Sequence, residues 1–108
     1  MTIVRARVYL RDSATHEGRP AHAGISSAFR EAGVEDLSVH HGIMGFDRAS
    51  EVFSAPRFPH RPLRFHADSP VVVEAVGEEE RIKAALPEVR KILDRGLITT
   101  SEVELYEE

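Results

Sequence analysis

The 108-residue chain contains no cysteine. That excludes disulfides, a thiolate nucleophile and any cysteine-ligated metal cluster. No apolar run approaches the roughly eighteen residues of a membrane-spanning helix. The chain starts directly on Met1, Thr2, Ile3 and Val4, with no leader-like segment, so a cytoplasmic location is expected. A basic excess is also missing. The formal net charge is -4 and the pI is about 5.9, whereas a binder of phosphate backbones presents a basic footprint. No nucleic-acid partner is therefore expected. Lysine is scarce: of fourteen basic residues only Lys83 and Lys91 are not arginine. Arginine suits bidentate pairing with carboxylate or phosphate, although GC-rich codon usage produces the same ratio. No serine or threonine stands in a recognisable nucleophile setting, so no catalytic residue is assigned, no enzyme is expected and no cofactor is implied.

What is present is enough apolar residue, 42%, for one domain with one modest core. Ile3 to Arg11 alternates with period two, placing Val4, Ala6, Val8 and Leu10 on one face of a strand and Ile3, Arg5, Arg7, Tyr9 and Arg11 on the other. Asp12 to Pro20 is a polar loop. Ala21 to Ala32 has helical spacing, with Ala21, Ile25, Ala28, Phe29 and Ala32 as its stripe, Pro20 at its start and Gly33 as its cap. Leu37 to Met44 is a second strand, in which Leu37, Val39, His41 and Ile43 share one face while Ser38, His40, Gly42 and Met44 share the other. Pro70 to Val76 is the most apolar run and is expected to be a central strand, buried on both faces and ended by Gly77. The stripe from Ile82 to Leu93 makes a second helix with Glu78, Glu79 and Glu80 at its positive end. Pro87 implies either a kink in that helix or a later start. Leu97–Thr100 and Val103–Tyr106 form a final edge strand, broken at Ser101–Glu102.

Between the second and third strands, residues 45–68 are irregular and rich in proline. So long a stretch in so small a domain is expected to be functional, mobile or an assembly element. A short hairpin arm over Ala49 to Arg57 and an extended piece over Leu63, Phe65 and Ala67 are expected. Arg57, His60, Arg61 and Arg64 make it locally basic and suit it to docking a protein partner. Phe53, Phe58 and Phe65 anchor it to the body.

The order strand, helix, strand, loop, strand, helix, strand gives an α+β, ferredoxin-like βαββαβ fold: a four-stranded antiparallel sheet with two helices on one face. Such a sheet leaves its second face bare, and oligomerisation is the expected cover. For a ligand, Gly42 and Gly45 at the end of the second strand allow backbone N–H groups to approach an anion closely. Arg48 can pair with phosphate, with Arg5 and Arg7 assisting. The plainer reading gives the glycines only a tight turn or a subunit contact. For a metal, Asp12, His16, Glu17 and His22 can chelate from one loop, or His60 and His66 can join His40 across subunits. Adjacent His40 and His41 point to opposite faces and cannot share an ion from one strand. These spacings match no defined metal pattern, so no metal ligand is assigned.

The segment His41–Gly42–Ile43–Met44–Gly45–Phe46, together with Gly18–Arg19–Pro20, Asp68–Ser69–Pro70 before the valine strand, and Gly96, resembles a family of uncharacterised bacterial PII-like (GlnB-like) proteins. The resemblance runs from Arg7 to Leu105. It implies a homotrimer with inward sheets, a small anionic effector such as an adenine nucleotide in the clefts between subunits, and a signalling loop over residues 45–66. On it, His41, Gly42, Gly45, Phe46, Arg48, Arg5 and Arg7 are the candidate ligand residues. Some relatives are encoded beside fluoride-efflux channels, which implies a membrane-transporter partner. The chain departs from the family pattern at His41, where an arginine is usual, and at Asp47, where a glycine is usual. A histidine supplies positive charge only when protonated. Against this reading of a regulator stand a trimeric docking protein without a ligand and, ranked below it, a metal-binding protein or an enzyme.

Overall fold

The computed structural model describes residues 1–46, 52–54 and 66–106. β1 (Ile3–Arg11) is followed by two short strands, β2 (Thr15–His16) and β3 (Arg19–Pro20), and by helix α1 (Ala21–Glu31). Then come β4 (Asp36–His41), the short strands β5 (Met44–Phe46), β6 (Val52–Ser54) and β7 (His66–Ala67), and the long β8 (Pro70–Glu78). Helix α2 (Glu79–Ile92) and β9 (Leu97–Val103) complete the order. The main sheet is antiparallel with strand order β4-β8-β1-β9, which is the ferredoxin-like arrangement.

Alternation decides which face is covered. Val4, Ala6, Val8 and Leu10 of β1 and Val71, Val73 and Ala75 of β8 are buried under Ile25 and Phe29 of α1 and Ile82 and Val89 of α2. The helices touch where Gly24 lets the Ile92 side chain approach, a Cβ there lying 3.4 Å from Ile92 Cδ1. α1 ends through Gly33, whose φ of 91° and N–H bond to Arg30 O make the left-handed stop. The freed Gly33 carbonyl accepts from Arg81 Nη1 at 3.0 Å.

Four expectations need correction. The Asp12–Pro20 loop holds a two-residue hairpin, in which Thr15 pairs with Pro20, and Glu17 (φ 52°) and Gly18 (φ 77°) form the turn. The second strand stops at His41 rather than running to Met44. Its partner β8 begins at Pro70, which has no N–H to extend the ladder; Met44 to Phe46 instead pairs with Val52–Ser54 in a separate small sheet. β8 is central but is buried on its helix face only, and it runs through Gly77 to Glu78 because β1 pairs with it as far as Ile3. β9 is unbroken from Leu97 to Val103, since β1 offers partners to Ser101 and Glu102. α2 keeps its start at Glu79 with Pro87 inside it, so the later start is not taken. β5 pairs antiparallel with β6, and β7 lies parallel to β6, so the pairing begins at Met44, before the expected Ala49–Arg57 arm, whose two ends lie outside the described residues. Arg48, Arg57, His60, Arg61 and Arg64 lie outside the described residues, as do Leu63 and Phe65.

Candidate functional site

Three elements converge at one end of the main sheet. Asp12 follows the last residue of β1. His22 is in the first turn of α1. His41 is the last residue of β4 and shares the helix-side parity of Leu37 and Val39, its register partner being the buried Val71. These three side chains meet. Asp12 Oδ1 lies 3.2 Å from His41 Nε2 and 3.5 Å from His22 Nε2. The two imidazoles stand edge to face, with centroids 6.1 Å apart and planes at 82°. His22 is half-buried; Asp12 and His41 are exposed.

The backbone under this cluster is pinned by one short segment. Asp12 N–H donates to Ser69 O at 2.9 Å, and Gly42 N–H donates to Pro70 O at 2.8 Å. Asp68 is the buried polar residue among the described residues. Its carboxylate accepts from the Ser13 N–H and hydroxyl and from the Ser69 N–H. The start of β8 therefore positions both the residue after β1 and the residue after β4. Gly42 must be glycine here, because a Cβ would sit 2.6 Å from Pro70 Cγ.

The candidate ligand residues from the sequence divide into two groups. His41, Gly42, Gly45 and Phe46 lie together at the end of β4 and in β5, although the Gly42 N–H is committed to Pro70. Arg5 and Arg7 are on the opposite face of the sheet, where Arg7 Nε donates to Glu74 Oε2 at 2.8 Å across the β1–β8 pair. Within one chain the sheet separates the two groups. The hydrogen bond from Arg7 holds the Glu74 carboxyl below the usual glutamate range, against the cost of partial burial, with the charges of Arg7, Arg5 and His40 adding to it. The same bond, and one with Tyr9, raises the Arg7 guanidinium. Arg5 Nε is buried and makes no hydrogen bond among the described residues.

His41 joins Asp12 and His22, a grouping the loop-based metal reading did not include. His16 instead faces Glu17, 3.9 Å away. The signal was available: His41 has the parity of Leu37 and Val39, which puts it on the helix side where α1 begins. The role of Asp68 carried no such signal, because its three bonds depend on where Ser13 arrives from 55 residues away.

A four-stranded antiparallel sheet in this order, with both helices on one face and a strand-end excursion between its second and third long strands, is the PII-like ferredoxin fold. The chain superposes on CPII, a nitrogen regulatory PII-like protein from Thiomonas intermedia K12, with a TM-score of 0.69 at 11% identity, covering 97% of this chain and 89% of that one. That CPII structure is bound to ADP, AMP and bicarbonate. Bacillus subtilis GlnK matches with a TM-score of 0.51 at 13% identity, over 95% of this chain and 86% of that one. In sequence, a UPF0166 protein of Aquifex aeolicus is 31% identical over 99 residues, 92% of this chain and 89% of its own length. The chain belongs to the family described as Uncharacterized ACR, COG1993 (DUF190), which matches residues 3–105. Among the described residues no helix is long and apolar enough to cross a membrane.

Proposed function

We propose that the protein is a trimeric PII-like regulator that binds a small anionic effector, an adenine nucleotide first among candidates, in clefts between subunits, and performs no chemistry. The observation that carries this reading is Arg5. Its Nε is removed from solvent on the face of β1 away from the helices yet has no acceptor among the described residues. A buried donor left unmade costs about 1–3 kcal/mol, so an acceptor from a neighbouring subunit or a ligand is the economical completion. Ile3, Tyr9, Val72 and Val76 share that half-buried face with Arg5 and Arg7, as a sheet face that meets other subunits would. The fold shared with CPII, whose structure holds ADP, AMP and bicarbonate, and with Bacillus subtilis GlnK, which forms an ATP complex, supports an anionic nucleotide as the effector.

The segment that leaves the sheet after Gly42 would carry the signal. Arg57, His60, Arg61 and Arg64 in its sequence suit it to an acidic surface on a protein partner, and the family resemblance makes a membrane transporter the candidate. A second reading, a trimeric docking protein without effector, is favoured by one observation: the Gly42 N–H already serves Pro70 O, so this glycine has a structural duty. Calorimetric titration with ATP, ADP, AMP and cyclic dinucleotides, with light scattering for mass, separates the two. Selective heat from a trimer supports the regulator; a trimer silent to the whole panel supports the docking protein.

A further inference from the structure

We propose that Asp12, His22 and His41 form a binding site for one divalent transition-metal ion of the zinc class, placed at the root of the arm. Their donor atoms all lie within 4.8 Å of one another. Ligands about 2.0–2.1 Å from a tetrahedral ion stand roughly 3.3–3.4 Å apart. The Asp12–His41 and Asp12–His22 separations of 3.2 and 3.5 Å fall on either side of that spacing. As plain hydrogen bonds they are poor, since one is at the long limit of N–H···O geometry and the other is beyond it. As charge pairs they would set two imidazolium groups against one carboxylate. With an ion between them, both imidazoles are neutral and the carboxylate balances half the ion's charge.

Two imidazoles and one carboxylate are a donor set that zinc takes readily, and they leave a coordination position for water or a small anion. The near-perpendicular rings bring both Nε2 atoms toward Asp12 without stacking. The supports are rigid where they need to be. Ser69 and Pro70 hold the backbone at Asp12 and Gly42, and the buried Asp68 holds Ser13. The half-exposed Asp12 and His41 leave a route for the ion to enter. A bound ion would tie the β1 loop and the start of α1 to the last residue before the chain departs for the arm. The arm's root would then be fixed or released by metal. This site does not depend on the effector reading, and its test contains no nucleotide.

The test is a titration of the chelator-stripped chain with Zn2+ by calorimetry and with Co2+ by visible absorption. The expected result is one ion per chain and the intense ligand-field bands of a low-coordinate Co2+. Asp12→Asn, His22→Gln and His41→Gln, each checked for native circular dichroism, should weaken binding by more than the roughly 10–100-fold that even an outer partner of a metal ligand commands. Asp12→Asn keeps the shape of the side chain, so it reports on the ligand even where a histidine variant loosens the fold. His40→Gln, on the opposite face of β4, should bind as the parent does. The proposal is overturned by absence of binding in the parent chain, by parental affinity in any of the three ligand variants, or by equal loss in His40→Gln.

Discussion

Gly96 shows how a single residue is constrained by what lies across the chain. Its φ is 152°, and a Cβ there would collide with the Tyr9 carbonyl oxygen and sit 2.8 Å from Leu93 Cδ1. The backbone oxygen cannot step aside as a side chain would. Gly96→Ala is expected to lower unfolding free energy by about 1–3 kcal/mol in a urea titration; an unchanged midpoint would mean that β9 can shift away from β1. The Arg7–Glu74 pair gives a prediction with a sign. Glu74 is depressed in the folded state, so its contribution is present above the pKa of the unfolded chain and is lost as pH falls through the lower folded value. Glu74→Gln should therefore flatten the loss of stability below about pH 4.3, glutamate's ordinary value, as read by thermal melts across acidic buffers. Parallel acid profiles for parent and variant would contradict the assignment. At this scale the sequence was informative wherever parity alone decides. It placed Arg5 and Arg7 opposite Val8, and His41 opposite His40. It was silent on Asp68, whose burial depends on a loop distant in sequence.

The elements follow their local chemistry closely, and they depart from it where a partner strand overrules it. β1 is the same nine residues in the alternation and in the sheet, and α1 differs by one residue at its end. Gly77 does not end β8, because the ladder to β1 outweighs one glycine's preference. Pro70 does end the pairing with β4, because a missing N–H cannot be compensated by packing. Pro87 is the remaining conflict. It sits inside α2 on an exposed position, where its ring removes the bond to the Lys83 carbonyl and no core contact compensates. Pro87→Ala is expected to stabilise the chain by about 2 kcal/mol, the helix gain of about 3 less the entropy returned to the unfolded chain. A lower melting temperature in the variant would show that the proline has a structural duty on the α2 surface.

At the scale of the molecule, the two faces of the main sheet differ in kind. The helix face is closed by alanine, valine, isoleucine and phenylalanine. The open face mixes Ile3, Tyr9, Val72 and Val76 with Arg5, Arg7 and Glu74, a composition too apolar for plain solvent and too charged for a core. This asymmetry was legible in the sequence, because period-two strands state both faces at once. What a chain read alone could not contain is the acceptor for Arg5 Nε, for which the proposed regulator names a neighbouring subunit or a ligand. The regulator reading rests on that completion. Arg5→Leu removes the donor and should weaken effector binding or trimer assembly by roughly tenfold or more, in line with the about 1.5–3 kcal/mol of a hydrogen bond made by a charged group. The measurement that bears most directly on the whole account is calorimetry of the parent protein with the nucleotide panel, coupled to light scattering on the same sample. The account predicts a trimer that binds one adenine nucleotide selectively, with one site per subunit cleft. A monomer that binds none would contradict it, leaving neither a subunit cleft for an effector nor a neighbouring subunit beside Arg5.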